Sequence, residues 1–111
     1  MKTGHQKEIR QSEVKSEGVV GTYIQWLISK SDGAPNFAMR RFEVEPGGHT
    51  PKHIHTHEHE VYVLSGKGII YFEGEEIEIE KDHFAFIPPN KEHQFRNTGN
   101  ENLVFLCIVP V

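Results

Sequence analysis

No stretch of this 111-residue chain sustains an apolar residue every third or fourth position, so no amphipathic helix of ordinary length can be written into it. Short alternating or apolar runs appear instead, cut apart by Gly, Pro and Asn, which is the pattern of strands and turns. Val19–Ser29 and Asn36–Val44 are the first two such runs, and Glu45-Pro46-Gly47-Gly48 reads as the turn closing the second. Val61–Leu64 ends at Ser65-Gly66-Lys67-Gly68, and Ile69–Phe72 and Glu76–Glu80 flank a hairpin tip at Glu73-Gly74-Glu75. Phe84–Ile87 precedes Pro88-Pro89-Asn90, and Gln94–Asn97 and Leu103–Val109 flank Thr98-Gly99-Asn100-Glu101. Many short strands at near-regular spacing predict an all-β sandwich or barrel. With no internal repeat and no linker, residues 1–111 read as one domain. Its polar first 18 residues form an arm that orders as an edge or swapped strand, if at all.

A chain of this size buries roughly two thirds of its unfolded surface, enough for a core without covalent staples. Its one cysteine, Cys107, can form no internal disulfide. The net charge of −4 comes from interspersed acids and bases, and the lack of a basic stripe argues against nucleic acid as a partner. No apolar run approaches the ~18 residues of a membrane span, and the polar N-terminus lacks the apolar heart of a secretory signal. These features predict a cytoplasmic protein with no membrane partner.

Eight histidines are present, and four fall at positions 53, 55, 57 and 59. An affinity tag would sit at a terminus, whereas this tract is internal and runs into an apolar strand. Along extended chain, residues two apart share a face. His53 and His55 therefore point the same way, His59 points with Val61 and Val63, and His93 points with Phe95. A buried imidazole with nothing to bond is costly, so each of these is either a hydrogen-bonded core residue or a ligand. Four that converge would repel one another if charged, and are better satisfied by a shared cation. Imidazole suits Zn, Cu, Fe and Ni, and Mn less strongly. His49 and His57 read as exposed loop residues, and His5 and His83 as non-ligands.

Gly47, His53, His55 and Gly66 resemble the first conserved motif of the cupin family, and Pro88, His93 and Asn97 resemble its second. His59 stands where the family usually places a glutamate ligand, with Glu60 as the neighbouring alternative. Asp82 and Asn90 stand where glycines are usual, and both residue types tolerate left-handed backbone. Within the family, the stretches APNFAMRRFEVEPGG, HEVYVL and FLCIVP are similar to a small single-domain group that binds manganese through four histidines. The resemblance implies a double-stranded β-helix (jelly-roll) barrel, usually a homodimer. It also implies a metal inside one mouth, held by His53, His55, His59 and His93, with manganese favoured over Fe, Ni, Cu or Zn.

Four neutral ligands would leave the ion's full charge unneutralised, favouring an anionic ligand at any open position. A six-coordinate ion would keep two positions open for water or substrate, as oxygenases require, whereas a tetrahedral zinc would be saturated and structural. Arg40 shares parity with Phe42 and Val44; it either faces inward, where it could anchor a carboxylate, or lies on an exposed edge. Phe105 and Cys107 share a face that the resemblance turns toward the metal, and Cys107 also reads simply as a small core hydrophobe. Trp26 and Phe37 read as packing residues. The function predicted is a metal-dependent, dioxygenase-like oxidoreductase acting on a small organic substrate. The alternatives are a non-catalytic binding or sensing barrel, and an isomerase or hydrolase with Glu58 or Glu60 as base. No nucleophile elbow and no phosphate-cradling loop occurs.

Overall fold

The computed structural model describes all 111 residues. Nine strands follow in order: β1 (Ser12–Glu13), β2 (Val20–Ile28), β3 (Phe37–His49), β4 (His59–Ser65), β5 (Lys67–Phe72), β6 (Glu75–Glu80), β7 (Phe84–Ile87), β8 (His93–Asn97) and β9 (Leu103–Pro110). The only helical segments are two 3-10 turns, Gln6–Glu8 and Lys30–Asp32. No helix is long and apolar enough to cross a membrane. Every named pairing is antiparallel, in the order β6-β5-β8-β3-β9-β4-β7, with β2 also paired to β3 and β1 to β2.

β3 makes the sheet curl. Its first part pairs with β9 on one side and β2 on the other, and its last residue, His49, pairs with Arg96 of β8. One long strand thus lies in the middle of a single nine-stranded sheet that curls until Phe95 of β8 meets Phe105 of β9. This is the barrel-type architecture expected from the strand spacing and consistent with the jelly-roll that the resemblance implies. The inner face follows the period-2 rule: Val61 and Val63 of β4, Phe95 of β8, and Leu103, Phe105, Cys107 and Val109 of β9 are all buried. Phe105, 1% exposed, stacks on Phe42 and Phe95 at 5.3 and 4.5 Å. Burying a side chain of this size is worth about 1.5–3 kcal/mol.

Three local departures from the predicted strands have physical reasons. The expected turn at Glu45–Gly48 lies inside β3, where the register with β2 steps from Thr22↔Val44 to Val20↔His49. The turn residues form a bulge rather than an end, and Gly47, at φ +80, supplies the left-handed backbone. β4 begins at His59 rather than Val61, because His59 pairs with Ile87 of β7. Lys67 and Gly68 belong to β5, so Gly66 alone connects it to β4, at φ +81; a Cβ there would collide with the Asn102 carbonyl. Between β5 and β6 the connection is Glu73-Gly74, both at positive φ, as a tight hairpin requires.

Candidate metal centre

Alternation along β4 turns His59 inward with Val61 and Val63, and alternation along β8 turns His93 inward with Phe95; these two histidines are 5% and 6% exposed. The residues between β3 and β4 are irregular but not free. His53 and His93 form an isolated bridge in which each backbone N–H donates to the other's carbonyl at 3.0 Å. Asn90, at φ +64, turns its N–H onto the His55 carbonyl at 2.7 Å. The result is that ring nitrogens of His55, His59 and His93 all lie within 4.8 Å of one another. His53 stands just outside that group, exposed, with Nδ1 3.1 Å from His55 Nε2.

Burial keeps these rings neutral. It is the largest cause that lowers His59 to about 3 and His55 to about 4, with neighbouring histidines and Arg40 adding to it; burial lowers His93 as well. The donor set fits a divalent transition ion. Each imidazole presents a lone pair near neutral pH, His93 donates Nδ1–H to the Lys91 carbonyl at 2.9 Å, freeing its other nitrogen, and His59 Nε2 is buried without a partner. Tautomer control by an outer hydrogen bond is the usual support for a metal-bound histidine.

The rings open onto a cavity of about 220 Å³. Arg40 lines it, so the inward reading of its parity is the one realised. Its Nη2 donates to Cys107 Sγ at 3.0 Å, and its guanidinium lies 5.0 and 5.5 Å from the rings of Phe42 and Trp26. Phe105 and Cys107 also line the cavity. Cys107 is the small core residue it reads as, 2% exposed and packed in the apolar cluster, and its sulfur also faces both Arg40 and His59 Nδ1.

Other readings require correction. His49 is not a loop residue: it ends β3, is half-buried, and its ring is engaged by Thr50 and Gln94. His57 is half-buried rather than exposed, with its ring stacked on His55 at 4.9 Å and lying 4.9 Å from that of His59. Its parity with His55 and His59 was the available signal. Phe37 does not pack in the core, being 60% exposed, and Trp26 is 49% exposed. Glu60 is pushed up to about 7, chiefly through Glu58, as a general base would want. It alternates with inward-facing His59, however, and neither Glu58 nor Glu60 lines the cavity. Val14 and Ser16 of the N-terminal arm do line it; nothing in a polar arm signalled this.

The fold is that of a small curled antiparallel β barrel, and it gathers three histidines at one inner cavity where their ring nitrogens could hold a metal ion. Residues 40–109 match the family model for the Cupin_2 cupin domain, and the chain belongs to that family. It is similar to the oxalate-binding protein of Thermotoga maritima, with 29% identity covering 98% of each chain. It is also similar to the polyketide cyclase RemF of Streptomyces resistomycificus, with TM-score 0.93 and 34% identity over 99% of this chain and 79% of that one. A third relative is the 1-methylthio-D-xylulose 5-phosphate methylsulfurylase of Rhodospirillum rubrum, 38% identical over 64% of this chain but only 46% of that protein.

Proposed function

We propose that this chain is a metal-dependent oxidoreductase of the dioxygenase type that acts on a small organic acid. His55, His59 and His93 hold a divalent ion with His53 as the fourth ligand, and manganese is the first candidate. The observation that carries this reading is the gathering of three buried or half-buried neutral imidazoles in a cavity whose wall also holds Arg40. A bound ion supplies Lewis acidity and, unlike saturated tetrahedral zinc, positions left open by four imidazoles.

The chain's own residues do the rest. Arg40 is permanently charged and offers a planar set of N–H donors suited to a carboxylate. Phe42 and Phe105 wall the cavity with apolar surface that excludes water and strengthens that attraction. The volume is below the ~300–1,000 Å³ of drug-sized pockets, which restricts the ligand to a few heavy atoms. Similarity to an oxalate-binding protein supports an acid of this kind.

A second reading, binding without turnover, is favoured by one observation: no carboxylate lines the cavity, so a proton-transferring base is missing. One experiment separates the two. Protein loaded with Mn(II) or Fe(II) is offered small mono- and dicarboxylates while oxygen uptake and binding heat are measured. Oxygen uptake dependent on both metal and acid supports the oxidoreductase, and saturable binding without uptake supports the binding module. Neither signal across the series overturns both.

A further inference from the structure

His59 faces different surroundings through its two ring nitrogens. Nε2 is buried without a hydrogen-bond partner in a residue only 5% exposed. Nδ1 lies 3.3 Å from Cys107 Sγ and 3.5 Å from Arg40 Nη2. Arginine can only donate, so a bond from Arg40 would need a bare Nδ1 and would force the ring proton onto Nε2. The distances decide against that. A nitrogen pair at 3.5 Å is outside the ~2.7–3.2 Å range of good N–H hydrogen bonds, whereas Arg40 Nη2 is 3.0 Å from the sulfur. An S–H donating to Nδ1 would likewise leave an N–H at Nε2, buried with no acceptor, an arrangement folded proteins rarely keep.

The backbone builds this line of three. Arg40 of β3 pairs directly with Cys107 of β9, and Cys107 pairs with Val61 of β4, the next inward residue after His59. Neighbouring strands thus place a donor, a sulfur and an imidazole in sequence on one inner face. We propose that Cys107 Sγ, held by Arg40, accepts a hydrogen bond from Nδ1–H of His59, which fixes the ring proton on Nδ1 and so keeps the Nε2 lone pair available to an ion. Cys107 is a positioning residue for the metal site. This rests on the metal reading above and adds to it the outer contact that selects the His59 tautomer.

The test compares Cys107→Val, which keeps an apolar side chain of similar bulk but removes the acceptor, with Cys107→Ser, which keeps an acceptor. Affinities for Zn(II) and Mn(II) alone are measured by competition with a chromophoric chelator, beside the melting temperature of each metal-free protein. Loss of an outer-shell partner costs ~10–100-fold in metal affinity, and the valine variant is expected to lose at least about tenfold. The serine variant is expected to return to within about threefold of the parent, a rescue that a packing role alone would not give. Cys107→Ala replaces the valine variant should that one fail to fold, with the same loss expected. A valine or alanine variant within about threefold of the parent, or a serine variant as weak as either, overturns the proposal. A parent protein that takes up no metal overturns the metal reading itself, which is a different result.

Discussion

The histidines reach the cavity from two kinds of backbone. His59 and His93 stand on β4 and β8, where the ladder fixes their direction, burial keeps them neutral, and Nδ1 of each has a neighbour in Cys107 or the Lys91 carbonyl. His53 and His55 stand on an irregular connection tied down by its main chain, through the His53–His93 bridge and the Asn90–His55 bond. Their rings are more exposed, and His53 Nδ1 lies 3.1 Å from His55 Nε2. The difference teaches that half of this site is set by the barrel before any ligand arrives, while the other half has rings that can still adjust. Preorganised ligands carry more of the affinity because less ordering remains to be done on binding.

The largest effect should therefore come from the strand-borne side. His59→Ala is expected to lose metal affinity by at least about 100-fold, beyond the ~10–100-fold of an outer-shell change, as read by elemental analysis and chelator competition on untagged protein. Full metal content in that variant would remove the asymmetry altogether. A smaller effect concerns acid. His59 is lowered to about 3 in the folded protein from an ordinary 6.5. As pH falls below 6.5, the unfolded chain takes up a proton that the folded chain refuses, so folding stability must drop until about pH 3. At ~1.4 kcal/mol for each pH unit, the metal-free protein should lose roughly 2–4 kcal/mol between pH 7 and pH 4 from this residue. Urea midpoints measured across that range should fall less steeply in a His59→Gln variant. Equal slopes would mean that His59 is solvated and not preorganised.

The same contrast marks what could be read from residues alone. Period-2 parity places His59 and His93 inside, because alternation is a local property of any strand. It leaves Arg40 open between the interior and an exposed edge, and the face shared by Phe105 and Cys107 is turned inward by the family resemblance rather than by parity. Asp82 and Asn90, standing at turn positions where glycine is usual, do adopt left-handed backbone at φ +71 and +64. What parity could not supply depended on partners distant in sequence. The Glu45–Gly48 bulge is defined by its register with β2, and His49 is held by Gln94. Val14 and Ser16 reach the cavity only because β1 pairs with β2. His57 lies on an irregular connection with no ladder to fix its face, so its parity with His55 and His59 is the one signal of its inward turn, and a weak one.

Next in size is His53→Ala, expected to weaken metal binding about tenfold, or about 1.4 kcal/mol. The ring removed is exposed and outside the tight group of three, but its main chain still bridges to His93. Chelator competition with Mn(II) reads the change. A loss as large as that of His59→Ala would show the connection to be as preorganised as the strands.

The smallest effect is also the sharpest test of whether His53 rather than His57 joins the group of three, as proposed above. His57 stacks on His55 with the two rings only 13° from parallel, and Nδ1 lies 3.3 Å from the Glu58 carbonyl. His53 meets His55 edge-on at 83°, with Nδ1 directed at the other ring's nitrogen. Parallel stacking turns the in-plane lone pairs of two rings alongside each other rather than toward a common point, so His57 is poorly placed to share an ion with His55. His57→Ala should then change Mn(II) affinity by less than about threefold, about 0.7 kcal/mol, well below the loss for His53→Ala. If the order is reversed, the connection rearranges on metal binding and exchanges His53 for His57. The adjustable half of the site would then choose its own ligand, while His59 and His93 stay where the barrel puts them.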